Sequence, residues 1–82
     1  MKAKKWNPKT REYYDYELPE HACLFSDDMI KVIACAECGR KMIYDDSYIS
    51  RQIRTKHGFR YIVCENCYKK EWREAIENEK QR

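Results

Sequence analysis

The chain has 82 residues, 38% of them charged, a net charge of +3 and a mean hydropathy of −1.00. That length allows one domain with a thin apolar core, the kind of scaffold that commonly needs a staple beyond hydrophobic burial. No apolar run approaches the roughly 18 residues of a membrane span, and no apolar stretch follows the basic N-terminus to make a secretory signal.

A reducing, cytoplasmic setting is therefore expected. There, closely spaced cysteines are more often metal ligands than disulfides.

The first eleven residues carry Lys2, Lys4, Lys5, Lys9 and Arg11 and no acid, whereas residues 12–28 carry Glu12, Asp15, Glu17, Glu20, Asp27 and Asp28 and no base. The opening is +5 and the segment behind it −6, so the chain can neutralise its own basic arm. Trp6, Tyr13, Tyr14 and Tyr16 lie here between the breakers Pro8 and Pro19. We expect residues 1–29 to form an irregular aromatic strap. Either it folds back over the remaining chain to enlarge a small core, or it is an exposed arm that meets a partner. His21 and Cys23 are soft donors. Cys23, between Ala22 and Leu24, fits a small buried hydrophobe better than a ligand.

Residues 30–82 read as one module. Ile30–Ala34 is a short strand that feeds Cys35-Ala36-Glu37-Cys38-Gly39, in which Gly39 supplies the left-handed turn that ends a zinc knuckle. Met42-Ile43-Tyr44 leaves the knuckle as a strand, and Asp45-Asp46-Ser47 is turn chemistry. Tyr48–Arg54 alternates, with Ile49, Arg51 and Ile53 expected on one face and Tyr48, Ser50 and Gln52 on the other. After the turn at Lys56-His57-Gly58, Phe59–Val63 returns with Phe59, Tyr61 and Val63 sharing a face. From Glu65 the period changes. Tyr68, Trp72, Ala75 and Ile76 make one apolar helical stripe, and Lys70–Glu74 and Arg73–Glu77 are spaced to pair across a turn.

Cys35, Cys38, Cys64 and Cys67 form two Cys-x-x-Cys pairs separated by a 25-residue insert. Two residues between paired cysteines let one turn aim both sulfurs at a point, and two such pairs close a tetrahedral cage around one zinc ion. A redox dithiol and a four-thiolate iron site are the alternatives. Iron sits more naturally between two glycine-ended knuckles, and Cys67 is followed by Tyr68. The second pair opens a helix, which favours a treble-clef finger over a plain zinc ribbon. The expected fold is a small zinc-stabilised α+β domain: knuckle, β-hairpin or meander, and C-terminal helix.

The run Cys-Ala-Glu-Cys-Gly-Arg-Lys, the segment Tyr61–Tyr68 ending in Lys70-Glu71-Trp72, and the opening Trp6-Asn7-Pro8-Lys9-Thr10 resemble small uncharacterised zinc-finger proteins of phages and prophages of Gram-positive bacteria. The resemblance spans Trp6 to Trp72 and implies a zinc module held by Cys35, Cys38, Cys64 and Cys67 in a bacterial cytoplasm. It implies no activity.

Four thiolates leave no open coordination position for water. The sequence holds no metalloprotease motif, nucleophile elbow or phosphate loop. His57 lies in a turn, and the helix offers no histidine for a finger-based nuclease. A non-enzymatic protein is expected. Two binding modes remain. As an adaptor for a larger host or phage protein, it would dock through Trp6, Tyr13, Tyr14, Tyr16 and Trp72, because aromatic residues anchor interfaces. As a nucleic-acid binder, it would use Arg40, Lys41, Arg51, Arg54, Lys56 and Arg60 with stacking by Tyr48, Phe59 and Tyr61. The adaptor is favoured, because a net charge of +3 is low for a dedicated duplex binder.

Overall fold

The computed structural model describes residues 2–80. It is a small α+β fold with a four-stranded sheet, a separate two-stranded sheet and one C-terminal helix. No helix among the described residues is long and apolar enough to cross a membrane.

Residues 2–17 are not an irregular strap. Strands β1 (Lys2–Asn7) and β2 (Glu12–Glu17) form a regular antiparallel hairpin, registered from Lys2↔Glu17 to Asn7↔Glu12. The turn closes without glycine. Arg11 takes the left-handed conformation at φ 59° and donates its N–H to the Asn7 carbonyl at 2.7 Å, and the Asn7 side chain accepts from the Lys9 N–H at 2.9 Å. The register sets the basic strand against the acidic one. Lys4 pairs with Asp15, and Lys2 lies opposite Glu17, so the two charged runs cancel across one ladder.

β1 then pairs with β5 (Tyr48–Arg54) through Lys4↔Arg54 and Lys5↔Ile53, and β5 pairs with β6 (Arg60–Val63), giving the sheet order β2-β1-β5-β6. Ala3, Leu18, Ile53, Tyr61 and Val63 bury with Cys35, Ala36, Cys64 and Cys67 in one cluster, against which Tyr16, Ala22, Met42 and Tyr68 pack. The hairpin thus supplies Ala3, Tyr16 and Leu18 to a core that the rest of the chain fills sparsely.

Strict alternation along β5 fails. The ladder with β6 shifts register between Ile49 and Arg54. Ser50, Gln52 and Ile53 all turn inward while Ile49 stays exposed. A bulge flips side-chain parity, so Ile49 and Ile53 cannot share a face. Phe59 is likewise exposed, unlike Tyr61 and Val63. It belongs to the turn, where its N–H donates to Thr55 Oγ1 at 3.1 Å and its carbonyl accepts from the Thr55 N–H at 2.8 Å.

Strands β3 (Val32–Ala34) and β4 (Lys41–Ile43) make the second sheet, with Cys35 and Cys38 at its tip, and a 3-10 turn at Tyr44–Asp46 follows. The segment between β2 and β3 crosses beside β6. The Ile62 N–H donates to the Cys23 carbonyl and the Ala34 N–H to the His21 carbonyl, both at 3.0 Å.

Helix α1 (Glu65–Lys80) packs on β5. Its inward face centres on Cys67 and Glu71; of the expected stripe, Tyr68 and Ala75 are half-buried, whereas Trp72 and Ile76 are exposed. The reason lies at its start. Cys67 must face the other cysteines, which fixes the helical rotation and carries Glu71, one turn on, into the core. The helix makes an i,i+4 ion pair between Glu65 and Lys69 at 2.9 Å.

Candidate metal centre and aromatic face

Each cysteine is aimed by local structure. Cys35 follows β3 directly, and its N–H donates to the Arg40 carbonyl at 2.8 Å while its carbonyl accepts from the Gly39 N–H at 3.0 Å. Gly39 stands at φ 78°, and a Cβ there would meet the Pro19 ring at 3.6 Å. Cys64 sits between β6 and α1, where its carbonyl accepts the Tyr68 N–H at 3.0 Å and opens the helix. Cys67 follows in the first turn.

The four ligand sulfurs lie within 4.8 Å of one another. Cys38 and Cys64 Sγ are 3.8 Å apart, and a tetrahedral site with metal–sulfur bonds of about 2.3 Å has a sulfur–sulfur edge of about 3.8 Å. The four cysteines can hold a metal ion, and the donor set fits a thiophilic one. Cys35, Cys64 and Cys67 are buried, and Cys38 forms the exposed corner.

The electrostatics favour bound cation. Burial pushes the Cys35 thiol up, but backbone N–H groups of Cys38, Cys64 and Glu37 at 3.3–3.5 Å outweigh it and hold it below the ordinary thiol value. Burial pushes Cys67 well up, with the Cys64 side chain next in effect, and burial raises Cys38 as well. One thiolate is welcome there. Four are not, unless a cation compensates them.

Around this cluster lies a support that the sequence did not announce. Glu37, inside the first Cys-x-x-Cys turn, accepts Lys5 of β1 at 3.2 Å and Lys70 of α1 at 3.1 Å on the same oxygen. Its other oxygen is buried without a partner. The Tyr16 hydroxyl reaches the Ala36 and Glu37 carbonyls at 2.9 and 3.0 Å. Burial, aided by Glu37, raises its pKa to about 12. Charged residues so placed carry no hydrophobic period, which is why pattern reading passes over them.

Cys23 lies outside the cluster, half-buried, with its thiol 3.2 Å from the Phe25 carbonyl. His21 and His57 are exposed. Among the described residues only the four paired cysteines form a metal-ligating group.

The sequence-predicted aromatic residues separate. Trp6 packs on Tyr13 across the hairpin with ring centroids 5.0 Å apart, Tyr14 is exposed, and Tyr16 is committed to the knuckle. Trp72 joins a different group. Tyr48 stacks on Tyr68 at 5.0 Å and 15°, and Tyr68 meets Trp72 edge-on at 6.3 Å. The Arg51 guanidinium covers Trp72 at 3.9 Å. Tyr48, Tyr68 and Trp72 line an open cleft of about 450 Å³ with Glu65, Lys69 and Arg73.

The six basic residues divide between two hairpins: Arg40 and Lys41 beside the cysteine turn, the rest on β5–β6. Arg51 lies over Trp72, and Arg54 lies over Tyr13 at 3.9 Å with its Nε buried and unpartnered. Tyr61 is buried, which removes it as a stacking face. No family model, curated protein or solved structure matches this chain.

Proposed function

We propose that the chain is a non-enzymatic, treble-clef-like zinc module that serves as a protein-interaction adaptor for a larger phage or bacterial machine. The carrying observation is the cleft of Tyr48, Tyr68 and Trp72 with Arg51 across its edge. Rigid aromatic residues with an adjacent Arg are the side chains that anchor protein interfaces. The element order supports the finger reading: a knuckle, a hairpin, then a helix that brings the second cysteine pair. Four thiolates fill a tetrahedral site and leave no position for water, so the zinc is structural.

Nucleic-acid binding through Arg40, Lys41, Arg51, Arg54, Lys56 and Arg60 is the weaker reading, because Arg51 and Arg54 already lie on Trp72 and Tyr13. Capture of partners from the native host, with and without nuclease, separates the two. The adaptor reading expects a protein retained after nuclease treatment and lost with Trp72→Ala. Retention that vanishes with nuclease and falls steeply with salt would sink it.

A further inference from the structure

The molecule carries a second exposed apolar surface, on the sheet that holds Cys35 and Cys38. Phe25, Met29, Ile30, Val32 and Ile43 are 73%, 54%, 75%, 61% and 37% exposed. Val32 and Ile43 are cross-strand partners, with Ile30 two residues ahead of Val32, and the Phe25 ring lies 6.3 Å from Tyr44 in an edge-on arrangement. The Tyr44 N–H donates to the Lys31 carbonyl and the Asp45 N–H to the Met29 carbonyl, both at 2.9 Å.

Burial did not collapse this surface, because hydrogen bonds hold it open. Those two backbone bonds extend the β3–β4 ladder past its strands. Ser26, itself buried, accepts the Asp28 N–H at 3.0 Å, and Asp28 Oδ1 accepts the Ile30 N–H at 3.1 Å. The segment is therefore presented in a fixed shape, which lowers the ordering cost of binding. Contiguous exposed apolar side chains on a small protein mark an interaction site.

The charge around the patch is uneven. The bond from Asp45 to Met29 brings Asp27 and Asp28 to the same end as Asp45 and Asp46, and all four carboxylate residues are exposed. Lys41 lies at the other end of the ribbon, opposite Ala34, and Lys31 stands between, opposite Tyr44, so four acids face a single neighbouring lysine at this end. We propose that this face docks a segment of a partner protein with an apolar face and lysine or arginine at one end. The apolar face covers Ile30, Val32 and Ile43, and the basic end meets Asp27, Asp28, Asp45 and Asp46. Like-signed ends are excluded by repulsion across the same contact. The surface is independent of the Trp72 cleft. With both occupied, the module bridges two proteins, which is what an adaptor must do.

The test uses full-length, metal-loaded protein and two synthetic amphipathic peptides of identical leucine pattern, one bearing lysines and one glutamates. Amide shifts are expected to move at residues 24–32 and 43–46 with the lysine peptide alone. Ile30→Ser should abolish the shifts, and the pair Asp45→Lys with Asp46→Lys should weaken binding roughly tenfold or more, as like-charge juxtaposition does. Trp72→Ala should leave this binding unchanged, whatever it does to partner capture. Circular dichroism and metal content of each variant report whether the fold is kept, and Val32→Ser replaces Ile30→Ser if it is not. Equal binding of the glutamate peptide, or shifts elsewhere on the molecule, would overturn the proposal. So would a doubling of mass that Ile30→Ser abolishes, because the patch would then belong to a second copy.

Discussion

Ser50 Oγ donates to Glu71 Oε2 at 2.6 Å, and the Arg51 N–H donates to Oε1 at 2.7 Å, so one helical carboxylate closes two donors of β5 inside the core. Ser50 Oγ in turn accepts the Gln52 and Ile53 N–H groups at 3.1 and 2.9 Å. The bulge that disturbs β5 leaves backbone donors pointing inward, and this relay satisfies them. Glu71 is 2% exposed. Burial raises its pKa above the ordinary 4.5, against the pull of Ser50 and the Arg51 amide.

Truncation and neutralisation of Glu71 should therefore differ. Glu71→Ala leaves the Ser50 hydroxyl and the Arg51 amide without a partner and opens a cavity, at a cost of about 2–4 kcal/mol. Glu71→Gln keeps one acceptor, which can take the Arg51 N–H, and turns its amide NH2 toward the Ser50 hydroxyl, so it should cost less than truncation. A raised folded pKa means the native state holds this proton more tightly, so the wild-type side chain contributes most at low pH and loses that contribution as pH rises from 4.5 through the folded value. The stability difference, Gln variant minus wild type, should increase across that window and then level off. Denaturant titrations of both proteins at several pH values, metal-loaded throughout, measure it. A flat difference would mean that burial does not tune this carboxyl.

Metal loading should decide the fold. One zinc per chain is expected, and Cys→Ser at Cys35, Cys38, Cys64 or Cys67 should each release it, whereas Cys23→Ser should keep metal and structure. Structural zinc contributes on the order of 10–16 kcal/mol of apparent binding free energy in small fingers, far above what this core offers alone. Elemental analysis of the five variants and circular dichroism after chelation are the measurements. Zinc loss from the Cys23 variant would show the wrong ligand set.

Tyr16 should ionise well above the ordinary tyrosine value. Its pKa stands at about 12 against an ordinary 10.0. A raised acid pKa adds stability that is whole below 10 and drains away as pH climbs toward 12. Tyr16→Phe should remove that alkaline loss and cost about 1 kcal/mol at neutral pH by freeing the Ala36 and Glu37 carbonyls. Ultraviolet titration of wild type and variant reads both effects.

Glu37 and Lys5 should couple energetically. Their contact at 3.2 Å has side-chain exposures of only 9% and 15%. It ties β1 to the cysteine turn. A double-mutant cycle with Glu37→Ala and Lys5→Ala should return about 1 kcal/mol of interaction, more than an exposed pair gives. Deleting residues 1–20 should lower the melting temperature further, because Ala3, Tyr16 and Leu18 leave the core with the ladder. A coupling of zero would show the pair to be incidental.

The cysteine pairs and the helix start were legible because metal geometry demands fixed spacing, and Gly39 carries its φ in its residue type. The N-terminal hairpin was not. Its turn uses Arg11 where a glycine would have signalled it, and its aromatic residues alternate with charges that suggested an arm. The face of α1 was misjudged for another reason: a hydrophobic stripe assumes that apolar burial sets the rotation, whereas Cys67 sets it here. Glu71 then occupies the position that Trp72 was expected to fill. Ile30–Ala34 read as one short strand, but the exposure of Ile30 and Val32 was not legible, because sequence cannot tell which apolar face of a two-stranded ribbon finds a cover.

Strand β2 lies at the open margin of the four-stranded sheet. Such margins recruit further strands, and a ribbon carrying Tyr13, Tyr14 and Tyr16 is sticky by composition. Glu12, Asp15 and Glu17 oppose this: two copies of β2 laid antiparallel in full register set Glu12 opposite Glu17, and a one-residue shift sets Asp15 opposite Asp15. Acids so placed disfavour strand addition at this margin, and neutralising all three removes that safeguard.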